Sequence, residues 1–293
     1  MQIAYHIGAN CTDEERLLKS ILKNTGALLA QQTVVPGPSK YRRLIRETIQ
    51  TLDGRPPKAG TRDILIDAIV DEDDVSRLVL SNDNFIAIPK RIFDHGIFYP
   101  QVESKVRGMA RLFPEDEITF FIGIRHPASF LQEVARRAEI ARLRDFLGLL
   151  SPMELRWSDV IGRIRKTAPH ARVVTWCNED TPLIWEDLIR AISGLSDHVE
   201  VEGAHDLISR IVTKNGMAAL HKEVKTEPQM TRVARHEVLA QILETHAKPD
   251  AMDDEMTYPE LSEKLVAAMS ENYDADIARL DEMEGVTLIL PFR

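Results

Sequence analysis

Three groups of residues in this chain have types and spacing suited to chemistry. Gly8-Ala9-Asn10-Cys11-Thr12 lies between a short stretch with apolar residues at Ile3, Tyr5 and Ile7 and a run carrying Leu17, Leu18, Ile21 and Leu22. Strand, glycine turn and helix in that order is the layout of an anion site, in which backbone N–H groups and a helix dipole hold a phosphate. Arg125-His126-Pro127 follows the most continuous apolar run in the chain, 117–124, and sets a guanidinium at a strand end. Asn82-Asp83-Asn84 follows the apolar run at 77–81. It places a carboxylate where ligands meet an open α/β sheet. Asp83 is therefore a candidate general base, and His95 in Asp94-His95-Gly96 is a second; both types are also common in turns.

The side chains of the first loop oppose its architecture. Where a phosphate loop carries lysine, glycine and hydroxyls, this one offers Cys11, Asp13, Glu14 and Glu15. Each like-charge contact at ~4 Å costs on the order of a few kcal/mol at intermediate dielectric. Thr12-Asp13-Glu14-Glu15 reads equally as a capping box, with Thr12 as N-cap and Glu15 three residues on. Lys40, Arg42, Arg43 and Arg46 share one side of a helix expected over 40–52. They form either a solvated basic face or a phosphate-facing patch. Glu179-Asp180 ends a strand and suits a helix cap. Asp71 to Asp74 reads as a solvated turn, and His6 as structural. No His, Cys and carboxylate cluster has metal-ligand spacing, so no metal is expected. No nucleophile elbow or dinucleotide fingerprint is present.

The elements that must position these groups alternate. Strands are expected at 2–7, 28–35, 77–81, 117–124 and 172–177, with a short last one at 286–290. Helices are expected at 12–26, 40–52, 100–113, 127–150, 153–168, 182–193 and 204–222. The stretch 64–70 suits strand or helix. Ser39 can cap the second helix, and Lys225-Thr226-Glu227-Pro228 interrupts the pattern. With 293 residues, 44% hydrophobic and 28% charged, the chain can bury a large core. The alternation predicts a three-layer α/β fold with a mainly parallel, doubly wound sheet over 1–224 and a helical C-terminal appendage over 225–293 packed on it. The net charge of −9 argues against a nucleic-acid partner. No apolar run approaches a membrane span. Two cysteines and the lack of a signal-like start fit a cytoplasmic protein.

Gly8-Ala9-Asn10-Cys11-Thr12 after a first strand, Ile124-Arg125-His126-Pro127 opening a long helix, and Thr175 to Asp180 on a later strand resemble the sulfotransferase family. Over residues 3–222 the resemblance implies the sulfotransferase branch of P-loop proteins. It also implies a small-molecule nucleotide partner, 3′-phosphoadenosine 5′-phosphosulfate, and sulfuryl transfer to an unidentified hydroxyl acceptor. Gly8 to Thr12 would hold the 5′-phosphosulfate, Arg125 with Ser129 the 3′-phosphate, and Leu80 to Phe85 would lie near the acceptor. The departures fall on the chemistry. Cys11 stands where the family has its lysine, and Asp13, Glu14 and Glu15 replace the glycine and two hydroxyls. Glu133 stands where the family usually has a serine, and its late Arg-Lys-Gly motif is absent. A degenerate relative that serves as a binding or interaction module is thus the other expectation.

Overall fold

The computed structural model describes residues 1–227, 229–251 and 256–293; Pro228, read above as a breaker, lies outside them. Strands β1 (Gln2–His6), β2 (Thr33–Val34), β3 (Arg77–Ser81), β4 (Glu117–Ile124), β5 (Arg172–Cys177) and β6 (Val286–Ile289) form one sheet in the order β2-β3-β1-β4-β5-β6. Every pairing is parallel, with Tyr5 opposite both Leu80 and Phe120. Helices α1 (Arg16–Leu22) and α2 (Thr25–Ala30) follow β1, and α3 (Pro38–Leu52) and α4 (Thr61–Ile69) follow β2. Helix α5 (Val102–Leu112) follows β3; α6 (Pro127–Arg137), α7 (Leu143–Leu147) and α8 (Trp157–Thr167) follow β4. After β5 come α9 (Thr181–Ser193), α10 (Ile208–Ile211), α11 (Lys214–Thr226), α12 (Arg232–His246) and α13 (Glu263–Asp281).

Alternation along the strands assigns side chains to two cores. Ile3, Tyr5, Leu78, Leu80, Phe120 and Ile122 face the larger one, with α3 to α8 and α13. Ala4, Val79, Phe121 and Trp176 face the other, with α1, α2 and α9. Both faces of the central strands are covered, which explains their almost unbroken apolar sequence. A third, smaller cluster joins α10, α11 and α12. Residues 225–293 supply α12 and α13 and also β6, which pairs with β5.

Several elements differ from their sequence reading. The first helix does not begin at Thr12: Cys11, Glu14 and Glu15 all have positive φ, and regular helix starts at Arg16. Gly26 lies inside α2, so the strand expected over 28–35 shrinks to Thr33–Val34. The short apolar run there fitted both periods, and length was the only arbiter. Pro38 opens α3 and Gly37 precedes it, so Ser39 is not the cap. The open stretch 64–70 is helical as far as Ile69, the last residue of α4, and Val70 beyond it is extended. The helix expected over 127–150 stops at Arg137, and Glu139 takes a φ of +60° before α7. The 204–222 helix is divided into α10 and α11.

Candidate functional site

After β1 the chain turns to the α1 face of the sheet, whereas after β4 it turns to the α6 face. Neighbouring strands whose helices diverge leave a crevice at their carboxyl ends, the usual ligand position in open α/β sheets. Here the crevice is a cleft of about 620 Å³ lined by Cys11, Thr12, Asp13, Arg125, Asn178 and Glu179, with Trp185 of α9 among the further walls. The volume suits a small molecule.

The first loop is fastened to β4 by its backbone. Gly123 N donates to Gly8 O at 2.7 Å and Ala9 N to Gly123 O at 2.9 Å. Arg125 Nη1 donates to Cys11 O at 2.8 Å, and its Nε to Ser129 Oγ at 3.2 Å. The 8–12 loop, Arg125 and Ser129 are therefore brought together, as strand–turn–helix grammar requires. Asn10 is fully buried and ties the loop to the chain after β3. Its Nδ2 donates to Asn84 Oδ1 at 3.1 Å and to Ala87 O at 3.0 Å, while its Oδ1 accepts from Tyr99 Oη at 2.9 Å. Beneath Arg125, Trp157 Nε1 donates to the Arg125 carbonyl at 2.7 Å. Trp157 packs edge-on against Phe98 and Phe130, both at 4.9 Å between ring centroids, contacts worth about 0.5–1.5 kcal/mol each beyond burial. The corner between β4 and α6 is rigidly supported.

The capping box does not form as read. Thr12 Oγ1 donates back to Ala9 O at 2.8 Å. It is Asp13 that reaches the helix: its Oδ2 accepts the Leu17 N–H at 3.1 Å. Glu15 occupies the cap position but makes no side-chain cap bond, and pairs instead with Arg42. Glu14 lies between Arg16 and Arg137, 2.7 Å from Arg137 Nη2, and Glu133 pairs with Arg136 at 2.6 Å. Acidic and basic side chains on this rim answer one another. Burial pushes the Cys11 thiol up to about 12, against the pull of Arg137 and Arg125. It is a protonated, neutral group where the resemblance expects a lysine. Burial likewise pushes Cys177 up to about 12, and both cysteines are free.

The remaining candidates lie elsewhere. Asp83 lines neither this cleft nor a second one, bordered by Arg42 and Arg46 of α3; burial, then Asp13, raise its carboxyl pKa. His95 is exposed on the turn 94–96 and lines neither cleft. His6 Nδ1 meets Ser81 Oγ at 2.9 Å and its Nε2 is 4.0 Å from Asp13 Oδ1, a buried row that touches the cleft only through Asp13. Glu179 does not cap α9. Its Oε1 accepts from His126 N at 2.7 Å and its Oε2 from Tyr273 Oη at 3.1 Å, joining the β4 corner to α13. Arg16, Arg136 and Trp185 line the cleft without any local signal in the sequence. Among the described residues, no group of three His, Cys, Asp or Glu side chains could hold a metal ion, and no helix is long and apolar enough to cross a membrane. Neither a family model, nor a curated protein, nor a solved structure matches the chain.

Proposed function

We propose that this chain is a sulfotransferase-like α/β protein whose switch-point cleft binds a small polar ligand of low net charge and performs no sulfuryl transfer. The observation that carries this reading is the Asp13 carboxylate on the Leu17 N–H. A phosphate bound at the helix start would need that donor and would meet that negative charge. The rim points the same way, because Glu14 and Glu133 already engage Arg16, Arg136 and Arg137 and leave a single net positive charge among the five. A multiply anionic nucleotide gains little from such a surface, whereas an uncharged polar molecule loses little.

A second reading is favoured by the Arg125–Ser129 pair at the β4 corner. In it the protein takes 3′-phosphoadenosine 5′-phosphosulfate and passes the sulfuryl group to a hydroxyl, through positioning and charge stabilisation. The bond from sulfur to the bridging phosphate oxygen would break, a bond to the acceptor oxygen would form, and the hydroxyl proton would pass to water, because Asp83 does not line the cleft. Cys11 offers the leaving phosphate no positive charge, which weighs against this route. The test is incubation of the protein with labelled donor and 2-naphthol as the hydroxyl acceptor. No labelled sulfate ester is expected. Steady transfer that falls in Arg125→Ala would overturn the proposal in favour of the enzyme.

A further inference from the structure

The strongest unexplained feature lies on the far side of the chain after β3. A second cleft, of about 510 Å³, opens between α3, residues 82–91 and the start of α5. Arg42, Arg46, Arg91 and Lys105 line it, and among the described residues no aspartate or glutamate does. In a chain of net charge −9, four cations lining one cavity, Arg46 and Arg91 on its exposed side, set a local positive potential that favours an anion there.

The partners of these cations sharpen the point. Arg91 pairs with Asp94 at 2.7 Å and Arg42 with Glu15, both away from the cavity lining. The Arg42 Nη2 is buried without a hydrogen-bond partner. Among the described residues, neither Arg46 nor Lys105 makes an ion pair. Burial pushes the Lys105 ammonium pKa down, and Arg91 and Arg46 push it further, as expected for cations that face one another. Lys40 and Arg43, the other basic residues of the same helix, are neutralised by Asp71 and Glu47 at the surface. The basic side of α3 is thus divided between solvated pairs and cavity cations.

The rest of the lining describes the body of the ligand. Asn82 and Gln101 present amides that can bond hydroxyls, while the Asn84 amide is held by Asn10 and Asp83, and Phe85 with Ile88 adds apolar surface. One carboxylate would answer one cation. A phosphate monoester carries close to two charges near neutral pH and three acceptor oxygens that fit guanidinium forks.

We propose that the cleft between α3, residues 82–91 and α5 binds a phosphorylated polyhydroxy small molecule of the sugar-phosphate class, with Arg46 and Lys105 on the phosphate. The inference is independent of what the switch-point cleft binds. It is tested by calorimetric titration of the full chain with fructose 1,6-bisphosphate, alongside fructose, citrate, inorganic phosphate and heparin. Saturable binding of the bisphosphate is expected, tighter than that of any of the other four. Arg46→Gln and Lys105→Gln should each weaken it about tenfold, the scale of one lost charged hydrogen bond. Both variants should melt at or above the wild-type temperature without ligand, because each relieves repulsion. Absence of bisphosphate binding at millimolar concentration would overturn the proposal. So would equal binding of citrate or inorganic phosphate, tighter binding of heparin, or bisphosphate binding unchanged in both variants.

Discussion

At the scale of single residues, one carboxylate decides how the first loop behaves. Asp13 caps the first turn of α1 from inside the protein, so Asp13→Ala should lower stability by about 0.5–2 kcal/mol, the usual cost of a lost cap. Glu15→Ala removes only a half-exposed pair with Arg42 and should cost less than about 1 kcal/mol; thermal melts of the two variants separate the roles. The same melts would favour the sequence reading if Glu15 proved the costlier. Asp180 makes a second prediction. Burial, then Glu179, raises its carboxyl from 3.8 to about 6. The native protein therefore holds that proton more tightly than the unfolded chain does. Its contribution to stability is full below about pH 4 and is lost as pH rises through about 6. Asp180→Asn should flatten the stability profile across that window and raise stability at neutral pH by on the order of 1 kcal/mol, after allowing for solvent at this partly exposed site. Denaturant melts across the window check both.

At the scale of elements, the loop from β1 to α1 works because Gly8 can take a φ of +117°. A Cβ there would stand 3.1 Å from Asn10 N and 3.2 Å from Asp83 O. Gly8→Ala should therefore cost on the order of 1–3 kcal/mol and loosen the Arg125 contact with Cys11, as hydrogen exchange of the 8–12 amides would report. How much of this was legible in the sequence depended on which interactions are local. β1, β3, β4 and β5 could be read because strands covered on both faces write an apolar run into the chain. The joining of Gly8 to Arg125 followed from two strand–turn–helix units side by side. The cap was not legible, since it depends on positive φ at Glu14 and Glu15, which their residue types disfavour. Nor was the break after Arg137, because nothing local at Glu139 marks a positive φ. The basic side of α3 was legible, but Arg91 and Lys105 reach the same cavity from distant elements, and periodicity is silent about tertiary neighbours.

At the scale of the molecule, the sheet is asymmetric. It ends at β2, two residues long, on one side and at β6, four residues long, on the other. β6 pairs with β5 from Val173 to Trp176. Ending the chain after Gly285 would uncover that edge and should lower stability on the order of 3 kcal/mol, from lost ladder bonds and packing, with aggregation on heating as the visible sign. The same asymmetry extends to charge. The switch-point cleft has a rim whose arginines are engaged by Glu14 and Glu133, while the α3–α5 cleft concentrates cations on an acidic protein. The claim that the switch-point cleft is closed to phosphosulfate nucleotides is tested most directly by calorimetric titration with 3′-phosphoadenosine 5′-phosphate. The α3–α5 cleft is silenced in this experiment by Arg46→Gln and Lys105→Gln. No saturable heat is predicted for that protein, and a binding isotherm is predicted once Cys11→Lys, Asp13→Gly and Glu14→Thr are added. Micromolar binding before those changes, abolished by Arg125→Ala, would contradict it.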